Sequence, residues 1–399
     1  MGNVVDGRDF LDTLLTDEPA PATRHTTSLG LAFTVKRFIL GLLLDRAATV
    51  VPTRDVMEVL NNFQLDARPG RLRVIASDME QSMIATTELV TVTEPGVIVF
   101  PAKKLLGIIR EAEDGDVAFR VSAGTAHITI GRTTWTNRLQ GGEDYPAMPE
   151  VTEVVMTAVD RTEFATALDA VRYAACKDVA RASLMMIDIR DSKLTACDGS
   201  RFQQAAMCTF PFAFQLPIAA ADRLLKLLAK SDVTEIGIGQ SDHHLIFRLG
   251  ADVFVVNKLM AQFPDMEASL LRPALANRHP LTVDRRELLV ALKRTRINAD
   301  PETSAIALRL AAGTVTVVAR DKYGNDATET IDAGWTGPER TVVVNHQFLA
   351  DLISAHHGQT LTLQLGDDTK TRKAPVMLRA DTGAVGVVQQ MHSDWVGAG

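Results

Sequence analysis

The chain repeats one pattern three times, and such an internal repeat constrains the fold more than any single motif in it. Three segments share a strand, an Asp-centred turn and a second strand: RLRVIASDMEQSMIATTE from Arg71, KLTACDGSRFQQAAMCTF from Lys193 and TVTVVARDKYGNDATET from Thr314. Their aspartates, Asp78, Asp198 and Asp321, are 120 and 123 residues apart. Each is followed by a short strand, a helix-start residue, an amphipathic helix and an alternating strand. Those segments are VFPAKKLLGIIREAEDGDVAFRVS from Val99, QLPIAAADRLLKLLAKSDVTEIGIG from Gln215 and VVVNHQFLADLISAHHGQTLTLQLG from Val342. Each is preceded by a strand running into another helix, in FTVKRFILGLLLDRAATVV, TAVDRTEFATALDAVRYAACKD and TVDRRELLVALKRTRINAD. An aromatic–Pro–x–Met closure ends the first two copies only, at Tyr145-Pro146 and Phe263-Pro264.

Each copy therefore reads as β-α-β…β-β-α-β with a terminal hairpin, an α+β mixture. The copies fall at residues 31–150, 154–275 and 279–399. Residues 1–30, with DEPAPATRHTTS, read as a flexible N-terminal extension. Repeats that keep their register build one symmetric object.

A hydrophobic content of 46% is enough for large cores. The longest apolar run, Phe38 to Leu44, is too short to span a bilayer, and the N-terminus carries acids early instead of a basic signal region. Cys176, Cys197 and Cys208 match neither a disulfide framework nor a metal spacing, and read as buried thiols in a reducing compartment. The expected location is the cytoplasm.

No GxxxxGKS/T, HExxH or GxSxG motif is present. Asp78, Asp198 and Asp321 recur at matched positions, which suits turn capping better than catalysis. The reading is of a non-enzyme with no cofactor, no metal site and no catalytic residue.

Charge is segregated. The six predicted helices, residues 35–46, 101–112, 161–177, 219–230, 284–296 and 345–357, together carry +9. The whole chain carries −7, so the remainder carries −16. Five of the six helices are basic; the last has only Asp351, beside His346, His356 and His357. Basic helices on an acidic frame suit an object that surrounds a polyanion and binds phosphates without reading sequence. The candidates to face DNA are Lys36, Arg37, Arg54, Lys103, Lys104, Arg110, Arg172, Lys177, Arg223, Lys226, Lys230, Arg286, Lys293 and Arg294.

Several phrases give the pattern a family: VPTRDVMEVL, VIASDMEQSMIA, FPAKKLLGIIR, GGEDYPAMP, TACDGSRF, FPDM and VVVNHQFLADLI. Over about residues 31–393 the chain resembles the β subunit of bacterial replicative DNA polymerase, the sliding clamps. That resemblance implies three clamp-type domains per chain and a head-to-tail homodimeric ring. It implies helices lining a hole around double-stranded DNA, with antiparallel sheets outside. It further implies a clamp loader that opens the ring, a replicative DNA polymerase tethered to it, and other partners bound as short peptides between domains two and three.

Carried over residue by residue, the peptide cleft comprises Leu184, Cys197, Gly199, Ser200, Arg201, Phe202, Leu271, Asn345, Phe348, Val387, Val388, Gln389, Gln390 and Met391. The tail departs most from the family, whose chains end close to VVMPMRL where this one reads VVQQMHSDWVGAG. A more polar cleft is expected, recapped in part by Asp394 and Trp395. Such a cleft suits a variant clamp: phage-encoded, carried by a mobile element, or tolerant of an inhibitor aimed at the usual cleft. For the dimer interface the resemblance points to Trp135 on one side and Ile297 on the other, with polar Asn298 where an apolar residue is usual. Two other classes stay open: a non-catalytic peptide-binding scaffold that does not close on DNA, and an enzyme with an interdomain site.

Overall fold

The computed structural model describes residues 30–52, 57–139, 145–146, 154–207, 210–369, 373–380 and 383–392. The chain divides into two compact units, one formed by Met1–Thr162 with Asp222–Lys258, the other by Glu163–Ala221 with Leu259–Gly399. The division cuts through the second repeat, because that copy shares a sheet with each neighbour. Residues 1–29 of the expected extension lie outside the described residues, and Gly30 already pairs with Ser122 in a strand.

The first unit contains a five-stranded antiparallel sheet in the order Val90–Glu94, Gly30–Lys36, Asp116–Ser122, Thr125–Ile130, Thr133–Arg138. Alternation sets its buried face: DVAFRVS turns Val117, Phe119 and Val121 inward, and Phe119 stacks on Phe33 with ring centroids 5.1 Å apart. The expected hairpin is in fact this three-stranded meander, since Gly124 (φ 71°) and Gly131 (φ 55°) each supply the left-handed residue of a tight turn. An eight-stranded sheet follows the order Thr157–Asp160, Glu235–Gln240, His244–Leu249, Asp252–Asn257, Gln81–Thr87, Arg71–Ser77, Asn62–Arg68, Gly96–Pro101. Helices α1 (Arg37–Ala47) and α2 (Ala102–Glu111) pack together in this unit. The apolar run of α1 buries Leu40, Leu43, Leu44 and Ala47 and leaves Phe38 exposed.

Helices α3 (Arg161–Arg172) and α4 (Ile218–Ala229) span the points where the chain passes from one unit to the other. α3 stops short of the expected residue 177, because Ala174 and Ala175 close a tight turn onto Val171 and Arg172. Lys177 therefore lies beyond the helix.

The second unit is built on a twelve-stranded antiparallel sheet. Its order is Phe214–Pro217, Met186–Arg190, Lys193–Cys197, Arg201–Ala206, Val385–Val388, Val376–Arg379, Thr360–Leu365, His279–Asp284, Asp326–Gly334, Thr314–Arg320, Ala305–Ala311, Arg340–Asn345. Helices α5 (Arg285–Thr295) and α6 (His346–Ser354) bury Leu288, Leu292, Leu349, Leu352 and Ile353 in its main core. Both have side-chain N-caps: Asp284 accepts from the Glu287 N–H, and Asn345 accepts from the Gln347 and Phe348 N–H groups.

Candidate functional site

The three aspartates cap their turns. Asp78 Oδ1 accepts from the Glu80 and Gln81 N–H groups at 3.0 and 2.7 Å. Asp198 Oδ1 accepts from Ser200 and Arg201, both at 2.9 Å, and Asp321 Oδ1 from Tyr323 and Asn325 at 2.8 and 2.9 Å. Each turn launches a strand, and in two copies that strand joins the last strand of the following copy. In the first unit Gln81–Thr87 pairs antiparallel with Asp252–Asn257, from Gln81 opposite Val256 to Ile84 opposite Val253. In the second unit Arg201–Ala206 pairs with Val385–Val388, from Arg201 opposite Val388 to Gln204 opposite Val385. These are equivalent seams, four pairs each, in the same register relative to the aspartate.

Each seam is also clamped by charge. In the first, Arg223 on α4 ion-pairs with Asp78, and Arg46 Nη1 lies 2.7 Å from Asp252 Oδ2. Burial raises the Asp252 pKa, opposed by the Thr86 N–H and by Arg46. In the second, Arg201 contacts Asp198 at 2.8 Å and Asp351 on α6 at 2.7 Å, while its guanidinium packs on Phe348, 4.5 Å from the ring centroid, and on Tyr173. Tyr173 Oη donates to Gln203 Oε1 at 2.8 Å, and burial pushes the Tyr173 phenol upward.

The proposed cleft residues gather around this second seam. Cys197, Phe202, Leu271 and Val387 join one apolar cluster with Leu270, Ala274, Met377 and Val385. Leu184 ends a 3₁₀ turn, Val179–Leu184, and its carbonyl accepts from Cys176 N. The Cys197 thiol accepts from the Gly199 N–H, and burial pushes its pKa up to about 12, so it stays a thiol. Arg201 is sequestered between partners rather than turned to solvent. Val388 belongs to the main core beside Leu349 and Leu352. Gln389 N–H donates to Ser200 O at 2.7 Å, and Met391 N–H to Val343 O at 2.8 Å, with Met391 against Ala305, Ala307 and Val318. Gln390 is buried, and its amide donates to the Ala374 and Asp368 oxygens. Asp394 and Trp395 lie outside the described residues.

Sequence reasoning misses Tyr173 and Asp351 at this seam. The signal for Asp351 is a comparison between copies: the helix position that holds Arg223 opposite acidic Asp78 holds Asp351 opposite basic Arg201, a matched reversal of charge.

The basic candidates divide into two sets. Lys103, Lys104, Lys177, Lys226, Lys230, Arg286 and Lys293 are exposed with no ion pair among the described residues. Lys36, Arg37, Arg110, Arg172 and Arg294 pair with Asp116, Asp114, Asp45, Asp169 and Glu329, and Arg223 is committed to its seam. Arg54 lies outside the described residues. Burial lowers the His346 and His356 pKa values, so these two add no charge near neutral pH.

Trp135 stands on Thr133–Arg138, the edge strand of the five-stranded sheet. Ile297 is exposed, and Asn298 Nδ2 donates to Asp326 O at 3.0 Å, at the start of Asp326–Gly334, whose residues 326–332 are paired on one side only. Among the described residues no group of His, Cys, Asp or Glu is placed to hold a metal, and no helix is long and apolar enough to cross a membrane.

Two family models match: the DNA polymerase III beta subunit N-terminal domain over residues 31–149, and the C-terminal domain of the same subunit over residues 274–384. The beta sliding clamp of Pseudomonas aeruginosa is 26% identical over 360 residues, covering 85% of this chain and 94% of that protein. That of Haemophilus influenzae is 25% identical over 337 residues, 81% of this chain and 90% of its own length. A crystal structure of the P. aeruginosa DNA polymerase sliding clamp superposes with a TM-score of 0.83 at 23% identity, over 91% of this chain and all of that one. The Caulobacter crescentus beta sliding clamp gives 0.84 at 22% identity, over 93% and 100%. With both terminal repeats matched by its models and full-length relatives spanning the copy between them, the chain belongs to the DNA polymerase III beta subunit family, the non-catalytic sliding clamps.

Proposed function

We propose that two copies of this chain, each with domains at residues 31–150, 154–275 and 279–399, close head to tail into a ring around double-stranded DNA in the cytoplasm. A clamp loader places the ring there, and it holds a replicative DNA polymerase and other peptide-bearing partners. The carrying observation is the repeated seam. The turn strand of copy one meets the last strand of copy two, and that of copy two meets the last strand of copy three. Among the described residues this seam pattern then leaves one turn strand and one last strand of a copy without a counterpart. Residues 326–332 of the third copy's turn strand are paired on one side only, and Thr133–Arg138 of the first copy ends its sheet. An unpaired edge is a template for another chain. Continuing the seam register sets Asn325 opposite Asn137 of a second copy, Ala327 opposite its Trp135 and Thr328 opposite its Thr134. Charge agrees, since Arg132 and Arg138 flank one edge while Asp326, Glu329 and Asp332 flank the other.

Partner peptides are assigned to the second seam, in a cleft altered by Gln389 and Gln390. The Gln390 amide donates inside the protein, and Gln389 donates to the Lys373 carbonyl, which supports a cleft wall built on fixed polar side chains. The test is retention. A clamp loaded on nicked circular duplex stays bound through gel filtration and is lost when the circle is linearised. Equal loss from both substrates leaves the scaffold reading. For the cleft, a generic clamp-binding peptide should bind at least about tenfold more weakly than to the P. aeruginosa clamp; equal binding defeats the variant reading.

A further inference from the structure

We infer that the ring-closing contact of this protein is an aromatic knob, Tyr323 of one copy, seated over Gly107 of the next, where both seams inside the chain use an ion pair. The inference rests on the head-to-tail ring proposed above and assigns the chemistry of its closing seam.

Helices α2, α4 and α6 occupy matched positions, each following its strand directly after Pro101, Pro217 or Asn345. The sixth residue of each faces the same task. In α4 it is Arg223, which reaches the turn of the preceding copy at Asp78. In α6 it is Asp351, which reaches the turn of the preceding copy at Arg201. In α2 it is Gly107, and a Cβ placed there meets no atom within 4 Å. The helix that would enter the closing seam thus lacks the side chain that clamps the other two.

The turn it would meet has changed in the complementary sense. Asp78–Gln81 and Asp198–Arg201 each close from the aspartate N–H to the carbonyl three residues on, whereas Asp321 N–H reaches Asn325, four residues on. Gly324, at φ 88°, accommodates the extra residue. The longer turn projects Tyr323, which is 81% exposed, with the Lys322 ammonium 5.7 Å from its ring centroid. The other described tyrosines, Tyr145 and Tyr173, are each hydrogen-bonded and largely buried. Asp321 is engaged within its own turn on both oxygens, where Asp78 gives Oδ2 to Arg223: Oδ1 takes two backbone N–H groups and Oδ2 takes the Asn325 amide. Helix and turn therefore vary together, charge against charge twice and glycine against an exposed aromatic once. The occupant that fits the Gly107 gap is the Tyr323 ring of a second copy, an apolar anchor of the kind that dominates interface energetics.

Sedimentation equilibrium of the full chain tests this with three variants. Tyr323→Ala should weaken the dimer by about tenfold or more, and Gly107→Arg, which fills the gap, should weaken it comparably. The double variant should be no weaker than the worse single, since both disrupt one contact. Both positions are open in the monomer, so unchanged melting of the monomeric fraction will show that folding is intact. A wild-type dimer whose dissociation constant is untouched by either substitution, or whose two losses multiply in the double variant, overturns the knob while leaving the ring. A wild-type chain that stays monomeric at all concentrations instead overturns the ring itself.

Discussion

Arg201 Nη1 lies 2.7 Å from Asp351 Oδ2, and that contact joins the strand opening the second seam to helix α6 of the following repeat. The guanidinium is almost fully desolvated, with a second carboxylate from Asp198 and aromatic faces from Phe348 and Tyr173 around it. Removing it strands two acids and leaves a gap between two rings. Arg201→Ala should therefore destabilise the unit by about 3–5 kcal/mol, whereas Asp351→Asn, which leaves Asp198 in place, should cost about 1–2 kcal/mol. Denaturant titrations of both variants decide it; equal losses would mean that Asp198 contributes nothing.

The corresponding group of the first seam gives a pH prediction. Asp252 accepts from the Thr86 N–H at 2.9 Å and from Arg46, yet burial leaves its pKa raised above the ordinary 3.8. Its ionised form is the one that folding disfavours. The stability linked to it is thus fully present below pH 3.8 and is lost as pH rises through the folded value. Arg46→Met removes a group that holds the pKa down, so the shift grows. That variant should lose about 2–3 kcal/mol near pH 7 and recover part of the loss as pH falls and Asp252 takes up a proton. A deficit that is flat across this range would show the carboxylate stays ionised regardless.

Much of this architecture is legible from periodicity alone. The Asp turns, the six helices and the copy length all follow from local signals, since a capping carboxylate and an apolar stripe act within a few residues. The seams do not. Nothing local tells Gln81–Thr87 that its neighbour is Asp252–Asn257, because strand partners are chosen by two-sided burial across some 170 residues of chain. The basic helices show the same limit: Lys103 and Arg110 look alike in sequence, but only Arg110 finds an acid, Asp45, on the neighbouring helix. At the cleft, Arg201 reads as a ligand-facing residue until its partners are seen, for Asp351 lies 150 residues away.

Gly386 shows how tightly the second seam is packed. It stands opposite Gln203, and a Cβ at this position would overlap the Leu352 Cδ1 methyl and the Gln203 Oε1 atom. Leu352 is fully buried in α6, and Gln203 is held by Tyr173, so neither can yield cheaply. Gly386→Ala should cost about 1–3 kcal/mol through overpacking. It should also weaken peptide binding, since Val387 and Val388 follow directly on the displaced strand. A thermal melt indistinguishable from wild type would mean that the strand shifts freely and the seam is loose.

The division of the basic side chains makes a quantitative statement about DNA. Phosphate contacts release counterions, and for duplex DNA each phosphate that a cation neutralises adds about 0.9 to the steepness of log affinity against log salt. Lys103 and Lys104 are exposed and free of ion pairs, whereas Arg37 and Arg110 on the same pair of helices are already bound to Asp114 and Asp45. Replacing both lysines with alanine should flatten the salt dependence of duplex binding by about 2. Replacing both arginines should change it far less, because each would have to give up a carboxylate to reach a phosphate. Measured between about 50 and 200 mM salt by fluorescence anisotropy, the reverse ranking would place the DNA against the paired arginines and move the contact surface from the first turn of α2 to the ends of α1 and α2.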